Sequence, residues 1–76
     1  MTVAVAGATG ALGREVVDLL AGQRRRVRAL GRSAERLSRL GVAETRVIDL
    51  LRPGTVAGVC DGVDALIVCS GASMKL

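Results

Sequence analysis

The chain has 76 residues, half of them hydrophobic, and it carries a net charge of +4 with no aromatic residue and no histidine. No apolar run approaches the roughly 18 residues of a membrane span, and no basic residue precedes the short apolar start, as a secretory signal would require. The two cysteines, Cys60 and Cys69, do not have the spacing of a zinc site. We therefore expect a cytoplasmic protein without a metal site or a membrane partner, in which both cysteines are small buried hydrophobes.

Arginines are concentrated within nine positions, at Arg24, Arg25, Arg26, Arg28 and Arg32. Such a run occurs in nucleic-acid-binding patches. It also fits a solvated turn followed by a strand with alternating exposed arginines. Because no aromatic residue is present to stack on a base, we favour the second interpretation and expect no nucleic-acid partner.

The first half of the chain alternates between strand and helix patterns. Residues 2–6 form a short apolar run of the kind that is buried on both faces of a parallel sheet, and the run ends at Gly7. Residues 11–21 change to helical spacing, with apolar residues at positions 12, 16, 19 and 20. Gly22 is the expected helix stop. Residues 25–31 alternate again and predict a second strand.

The second half predicts two more helices and two more strands. A helix after the N-cap residue Ser33 has its apolar residues at spacing three, and Gly41 ends it. A weaker helix begins at Pro53, since proline is tolerated in a first turn, but two glycines lower its propensity. The predicted segments are, in chain order, a helix over 34–40, a strand over 44–48, a helix over 53–60, a turn at Asp61-Gly62 and a strand over 63–69.

The order β-α-β-α-β-α-β predicts an α/β protein with a three-layer parallel sheet, because right-handed crossovers join strands that are apolar on both faces. We expect the strand order 3-2-1-4, with the first strand in the middle. The fourth strand is then an apolar edge strand with no further strand to cover it, which favours aggregation. A chain this short also gains about as much free energy from apolar burial as it loses in conformational entropy. We therefore expect residues 1–76 to be a partial domain that is marginally stable alone.

Three glycines at spacing three, Gly7, Gly10 and Gly13, lie between the first strand and the first helix. A strand before such a pattern and a helix after it are the context of a dinucleotide-binding turn. Gly7 would permit the tight turn, Gly10 would leave room for a pyrophosphate, and Gly13 would let the helix pack closely. The N–H groups around residues 10–13 and the helix dipole would then bind the phosphates. The alternative is a glycine-rich turn that packing alone requires.

The whole motif Gly7-Ala8-Thr9-Gly10-Ala11-Leu12-Gly13 resembles the first turn of the short-chain dehydrogenase superfamily, especially its atypical and extended branches with the NmrA-like NAD(P)H-binding proteins. Residues 27–33 resemble the second strand of these proteins and its basic end. Asp49-Leu50 resembles the acidic-apolar pair that lies near adenine. Residues 62–69 resemble the approach to their fourth strand. The resemblance implies a Rossmann-type fold, with further cofactor contacts from Thr9, Ala11, Leu12 and, on the nicotinamide ribose side, Cys69, Ser70 and Gly71.

The end of the second strand indicates which dinucleotide is bound. An NAD site places Asp or Glu there for the ribose 2′-hydroxyl, whereas this chain has Arg32 and Ser33 and no acid until Glu35. Arg32 would pair with the 2′-phosphate of NADP and stack on adenine, and Ser33 would add a hydrogen bond. We therefore expect NADP rather than NAD, with Arg14 as a further candidate contact. The alternatives are that Arg32 is a solvated strand end, Arg14 a helix-surface charge and Asp49 a turn residue.

The resemblance implies the nucleotide-binding half of an oxidoreductase that transfers a hydride between NADP(H) and a carbonyl or alcohol substrate. The family's catalytic Tyr-x-x-x-Lys has no counterpart here, because the chain contains no tyrosine. We therefore expect no catalytic residue in this chain. The alternative is a non-catalytic NmrA-like module that senses NAD(P)H.

Overall fold

Four parallel strands form the sheet in a computed structural model that describes residues 1–49 and 51–69. No helix in this part of the chain is long and apolar enough to cross a membrane. The elements, in chain order, are strand β1 (Thr2–Ala6), helix α1 (Ala11–Gly22), strand β2 (Arg26–Gly31), helix α2 (Ala34–Ser38), strand β3 (Glu44–Val47), a short 3₁₀ helix (Pro53–Thr55) and strand β4 (Ala65–Val68).

The strand order β3-β2-β1-β4 confirms the predicted topology, with β1 in the middle of the sheet. In β1, Val5 pairs with Ala29 of β2 and with Ile67 of β4. Because all four strands run in the same direction, their carboxyl ends meet at one edge of the sheet. The segments that leave the strands therefore converge on that edge, which is where ligands bind in open α/β sheets.

Each face of the sheet packs its own apolar cluster, as expected for strands that are buried on both sides. On one face, α1 and α2 cover β1 and β2, and Val5, Val17 and Leu37 are at most 1% exposed. On the other face, Leu30 of β2 and Ile48 after β3 pack with the connection that precedes β4. That connection contributes Val56, Val59 and Val63.

The connection between β3 and β4 differs from the helix predicted over 53–60. Only Pro53–Thr55 is helical, and turns follow it as far as Gly62. Gly58 adopts a left-handed φ of +75°, which interrupts a helix. Helix α2 is also shorter than predicted, because it ends at Ser38 and leaves Leu40 outside. Both segments pack apolar side chains on the sheet, so their short helices reflect weak local propensity, including the two glycines of the connection.

The end of α1 also departs from the prediction. Gly22, the predicted stop, is the last helical residue, and the left-handed conformation occurs two residues later at Arg24, with φ +60°. The Arg24 N–H donates to the Ala21 carbonyl at 3.0 Å, and the Arg25 N–H donates to the Leu20 carbonyl at 3.1 Å. These two bonds make a Schellman motif, whose left-handed position is usually glycine.

The alternating pattern predicted that the arginines of β2 are all solvated, but one of them is not. Arg26 is exposed, but the Arg28 side chain is only 11% exposed. The Arg28 Nε donates to one Glu44 carboxylate oxygen at 2.6 Å, and the Arg26 Nε donates to the other at 2.9 Å. The Arg28 Nη1 also donates to the carbonyls of Val59 (2.8 Å) and Asp61 (2.7 Å). Part of the basic run therefore holds the sheet and its last connection together.

The two cysteines are more accessible than predicted. Cys60 is exposed and Cys69 is partly exposed, so the prediction that both are buried is wrong. Cys60 is exposed because the connection around it is irregular and does not pack one side of a continuous helix against the sheet. Both are free thiols.

Strand β4 forms one edge of the sheet. Its side chains are apolar, yet Leu66 is 49% exposed and Val68 is 62% exposed. Among the described residues its strand neighbour is β1 alone. This edge therefore has the exposed apolar character that favours association with other strands.

Candidate functional site

A cleft of about 630 Å³ lies at the carboxyl ends of the strands. The segments after β1, β2 and β3 and the residue after β4 form its walls. It spans the point where the chain order of the strands reverses, between β1 and β4. The described residues that line it are Gly7, Thr9, Gly10, Gly31, Arg32, Ser33, Arg36, Ile48, Asp49, Leu51 and Cys69.

The three glycines of the first turn have different surroundings. Gly7 has a left-handed φ of +76°. A side-chain carbon added at Gly13 would overlap the Gly7 carbonyl and lie 2.8 Å from the Ala8 Cα, so the approach of α1 to the turn requires glycine there. A carbon added at Gly10 would meet only the Gly7 carbonyl oxygen, at 3.5 Å, which is an ordinary contact. The fold itself therefore leaves room at Gly10, where the chain lines the cleft.

The first turn of α1 offers hydrogen-bond donors beside this open space. Gly10 is the N-cap residue and has no side chain to bond them. No described residue accepts a hydrogen bond from the N–H groups of Ala11, Leu12 and Gly13. The Gly10 N–H, by contrast, already donates to the Gly7 carbonyl at 3.1 Å. Free N–H groups and the helix dipole together favour an anion at this position.

Two arginines reach the cleft from the segment after β2. Arg32 directly follows the strand, and Arg36 is the third residue of α2. Both are exposed, and neither forms an ion pair with a described carboxylate. Ser33 lies between them as the N-cap of α2, and its Oγ accepts from the Arg36 N–H at 3.3 Å. The Ser33 hydroxyl proton is still available to a ligand.

Asp49 lines the cleft and also stabilises the turn after β3. Its N–H donates to the Thr55 Oγ1 at 2.7 Å, and its Oδ1 accepts from the Leu51 N–H at 2.9 Å. Leu51, which this turn positions, is 88% exposed and lines the cleft. The two interpretations of Asp49, turn residue and cleft residue, are therefore compatible.

The predicted cofactor residues divide into three groups by position. Those that line the cleft are Gly7, Thr9, Gly10, Arg32, Ser33, Asp49 and Cys69. Those that begin α1 beside it without lining it are Ala11, Leu12 and Gly13, of which Leu12 is 54% exposed. Those that lie outside the described residues are Leu50, Ser70 and Gly71.

The cleft also includes residues that the sequence pattern did not single out, namely Gly31, Arg36, Ile48 and Leu51. Arg36 could have been predicted from the sequence as a cleft residue, because it is a second basic residue four positions after Arg32, on the other side of a helix N-cap. A carbon added at Gly31 would lie 3.2 Å from the Leu37 Cδ2, a close contact with the end of a flexible side chain. The position of Leu51 depends on the irregular connection after β3, which no local pattern predicts.

The chemistry of the cleft suits an extended anionic ligand. Its charged side chains are two arginines and one aspartate, and Ile48 and Leu51 add apolar surface. No histidine, tyrosine or lysine is among the described residues that line it. The described residues of the lining can therefore bind and orient a ligand. Among them, Cys69 has the one thiol.

A family model described as NAD(P)H-binding matches residues 7–76. The match begins at the first glycine of the turn and includes every segment that forms the cleft. No curated protein matches the chain.

Proposed function

The chain belongs to the NAD(P)H-binding family, and we propose that it binds NADP in the cleft, with the pyrophosphate beside Gly10 and the adenosine ribose at the end of β2. The observation that carries this proposal is the open space at Gly10. The fold tolerates a side chain there, yet the position is glycine and lies beside free helix N–H groups. A ligand phosphate that approaches the backbone explains both features.

The other contacts follow from the order of the strands. The N–H groups of Ala11, Leu12 and Gly13 would donate to the pyrophosphate. Asp49 and Leu51 would lie along the adenine. Cys69, after β4, would lie on the nicotinamide side, because the two halves of a dinucleotide occupy opposite sides of the point where the strand order reverses.

The preference for NADP over NAD follows from charge at the end of β2. Arg32 is exposed to the cleft. Among the described residues, the segment after β2 contributes no acidic residue to the lining. A hydrogen bond to a charged group contributes about 1.5–3 kcal/mol. We therefore expect NADP to bind roughly tenfold to over a hundredfold more tightly than NAD at equal ionic strength.

Substitution of Gly10 by valine tests the binding site. We expect Gly10→Val to lower the affinity for NADP by at least about a hundredfold, because the side chain occupies the pyrophosphate space. Calorimetric titration with NADP and NAD measures the affinity, and far-UV circular dichroism checks that the fold persists. Gly54→Val is the matched control, since a side chain there meets nothing within 4 Å and Gly54 does not line the cleft. Unchanged NADP affinity in folded Gly10→Val protein would contradict the proposed phosphate position.

We propose further that this chain is the cofactor-binding half of a short-chain dehydrogenase-like oxidoreductase. Bound NADP(H) supplies hydride transfer to or from a carbonyl or alcohol carbon. The residues of this chain bind the cofactor and orient it, and they include no tyrosine or histidine that could move the accompanying substrate proton. The proton-transfer group and the substrate-binding residues would belong to a larger protein.

A second candidate function is NAD(P)H sensing without turnover. The composition of the cleft favours it equally, because no tyrosine, histidine or lysine is among the described residues that line it. Separate titrations with NADP and NADPH distinguish the two. A sensor is expected to bind one redox form at least about tenfold more tightly, whereas a cofactor-binding half of an oxidoreductase should hold both forms with similar affinity.

A further inference from the structure

The outer edge of β4, which faces away from β1, belongs to a strand without charged or polar side chains. The strand reads Ala-Leu-Ile-Val, and its two most exposed side chains are Val68 and Leu66. Among the described residues, β1 is its one strand neighbour. Strand β3, at the opposite edge of the sheet, contains Glu44 and Arg46. Because charged side chains are a usual protection against pairing at sheet edges, the β3 edge is protected and the β4 edge is open to pairing.

The hydrogen bonds of β1 show which backbone groups of β4 are already paired. The Gly7 N–H donates to the Leu30 carbonyl of β2 at 3.0 Å, so the odd-numbered residues of β1 bond to β2 and the even-numbered residues bond to β4. The even-numbered Ala6 accepts from the Cys69 N–H at 2.8 Å. The odd-numbered residues of β4 therefore bond to β1, since the backbone groups of successive residues in a strand point to opposite edges.

The even-numbered residues of β4, Leu66 and Val68, direct their N–H and C=O groups out of the sheet. The Asp64 N–H also bonds to β1, at the Thr2 carbonyl (2.9 Å), but Asp64 precedes the strand. Outward-facing residues two positions apart are the repeat of an antiparallel ladder, in which each hydrogen-bonded pair exchanges both of its bonds. An identical edge can therefore satisfy the outward groups of both residues.

We propose that the outer edge of β4 pairs antiparallel with the same edge of a second copy of this chain, and that Ile67 lies on the two-fold axis. In this register Leu66 of each copy lies opposite Val68 of the other in a hydrogen-bonded pair, so the most exposed side chains of the strand cover each other. Ile67 lies opposite its own counterpart in a pair without hydrogen bonds. An axis at Leu66 would instead place Val68 opposite Asp64, which covers less apolar surface.

The charges of the sheet favour a second copy as the occupant of this edge. The basic residues Arg26, Arg28 and Arg46 lie on β2 and β3, and β1 separates these strands from β4. An acidic partner would therefore be attracted to the other half of the sheet, whereas two uncharged β4 edges meet with the arginines of both copies on the outer strands. The joined sheet ends at a charged β3 strand on either side, so assembly stops at the dimer.

This pairing leaves both clefts free. The strands of the two copies run in opposite directions across the axis, so their carboxyl ends, and the clefts there, lie at opposite ends of the joined sheet. None of the residues of β4 itself is among the described residues that line the cleft. The inference therefore does not depend on the proposed function, and its test needs no dinucleotide.

Sedimentation equilibrium of the full 76-residue chain, from low to high micromolar concentration, tests the dimer. We expect the mass to rise from 7.8 kDa to twice that value and to stop there. Val68→Lys should raise the dissociation constant of the dimer by at least about tenfold, because a lysine at a sheet edge opposes pairing and each dimer contains two of them. Val47→Lys is the matched control, since Val47 is a half-exposed valine of the β3 edge and the added charge is the same. Far-UV circular dichroism checks that both variants are folded.

Disulfide cross-linking tests the register. In a Cys60→Ser, Cys69→Ser background, Ile67→Cys should form a disulfide-linked dimer with oxidised glutathione, because the Cα atoms of a pair without hydrogen bonds are about 4.5 Å apart. Val68→Cys is the control. Its side chain is more exposed, but its counterpart lies diagonally across the axis, at about 7–8 Å, which is too far for a disulfide.

The outcomes decide both the partner and the register. A chain that stays monomeric at every concentration, or that grows beyond the dimer, would overturn the proposal. Equal weakening by Val68→Lys and Val47→Lys would also overturn it, because net charge would then explain the effect. If Val68→Cys cross-links as readily as Ile67→Cys, Ile67 is not on the axis and the proposed pairing is wrong. Loss of the dimer in Val68→Lys alone, with cross-linking in Ile67→Cys alone, supports the β4 interface.

Discussion

Gly10 and Gly13 lie three residues apart in the same motif, but they are glycine for different physical reasons. At Gly13 the requirement comes from the fold, because a side-chain carbon would overlap the backbone of Gly7 and Ala8. At Gly10 the space is open, so the requirement comes from the proposed ligand. We therefore expect substitution of Gly13 to lower stability and substitution of Gly10 to lower the affinity for the ligand.

Gly13→Ala is expected to destabilise the protein by about 3 kcal/mol, at the upper end of what overpacking costs. The added carbon meets backbone atoms, which cannot move aside as a flexible side chain can. The matched control is Gly22→Ala, at the last residue of the same helix, where a side chain meets nothing within 4 Å. That change should stabilise the protein by about 0.4–1 kcal/mol. Urea unfolding followed by circular dichroism measures both, and equal stability of the two variants would contradict the close packing of α1 on the turn.

At the scale of one element, α1 shows how a helix can end without the residue that usually ends it. The Schellman bonds are made by Arg24 and Arg25, and Arg24 takes the left-handed conformation that glycine usually adopts. The left-handed region costs an L-residue about 1–2 kcal/mol. The turn into β2 therefore contains local strain, which the pairing of β2 in the sheet compensates.

Arg24→Gly is expected to stabilise the protein by about 1 kcal/mol, since it removes the left-handed strain at a smaller cost in unfolded-state entropy. In a domain of this size that raises Tm by about 4–8 °C. Gln23→Gly is the control, because the neighbouring Gln23 has an ordinary φ of −87° and gains nothing from glycine. It should lower Tm. Thermal unfolding by circular dichroism measures both, and a lower Tm for Arg24→Gly would show that the arginine side chain matters more than its backbone.

At the scale of the whole molecule, Glu44 and Arg28 join three separate parts of the chain. Glu44 of β3 accepts from Arg28 and Arg26 of β2, while Arg28 also binds the carbonyls of Val59 and Asp61 in the last connection. The hydrogen bonds from Arg28 and Arg26 lower the pKa of the Glu44 carboxyl below its usual 4.5, and the bond from Arg28 has the larger effect. The negative charge of Glu44 therefore contributes to stability only while the carboxyl is ionised.

This network predicts a pH dependence whose sign follows from the lowered pKa. Because the pKa of Glu44 is lower in the folded protein than in the unfolded chain, its contribution is fully present above 4.5 and is lost as pH falls through the lower, folded value. Glu44→Gln should lower Tm at neutral pH, and its difference from wild type should shrink at acid pH. Glu15→Gln is the control, since Glu15 is exposed and has no ion pair among the described residues. A difference in Tm that stays constant from neutral to acid pH would show that the Glu44 charge is not responsible.

The sequence by itself determined the alternation of strands and helices, the strand order and the glycine turn. The alternation and the glycine turn depend on residues that are close in the chain. The apolar run before Gly7 is a strand, Ser33 caps its helix, and the spacing from Gly7 to Gly13 places a turn between strand and helix. Right-handed crossovers then leave few ways to order four parallel strands. The sequence was less informative where propensity was weak, as in the connection after Pro53.

Only the tertiary structure decided which basic residues are structural and which line the cleft. The local pattern makes Arg26 and Arg28 equivalent, but the Arg28 side chain is only 11% exposed. It binds the carbonyls of Val59 and Asp61, which lie 31 and 33 residues away in the chain. In the same way, α2 places Arg36 at the cleft, and the turn after β3 brings Leu51 to it. Burial and charge pairing depend on contacts between distant residues, and those contacts exist only once the sheet has formed.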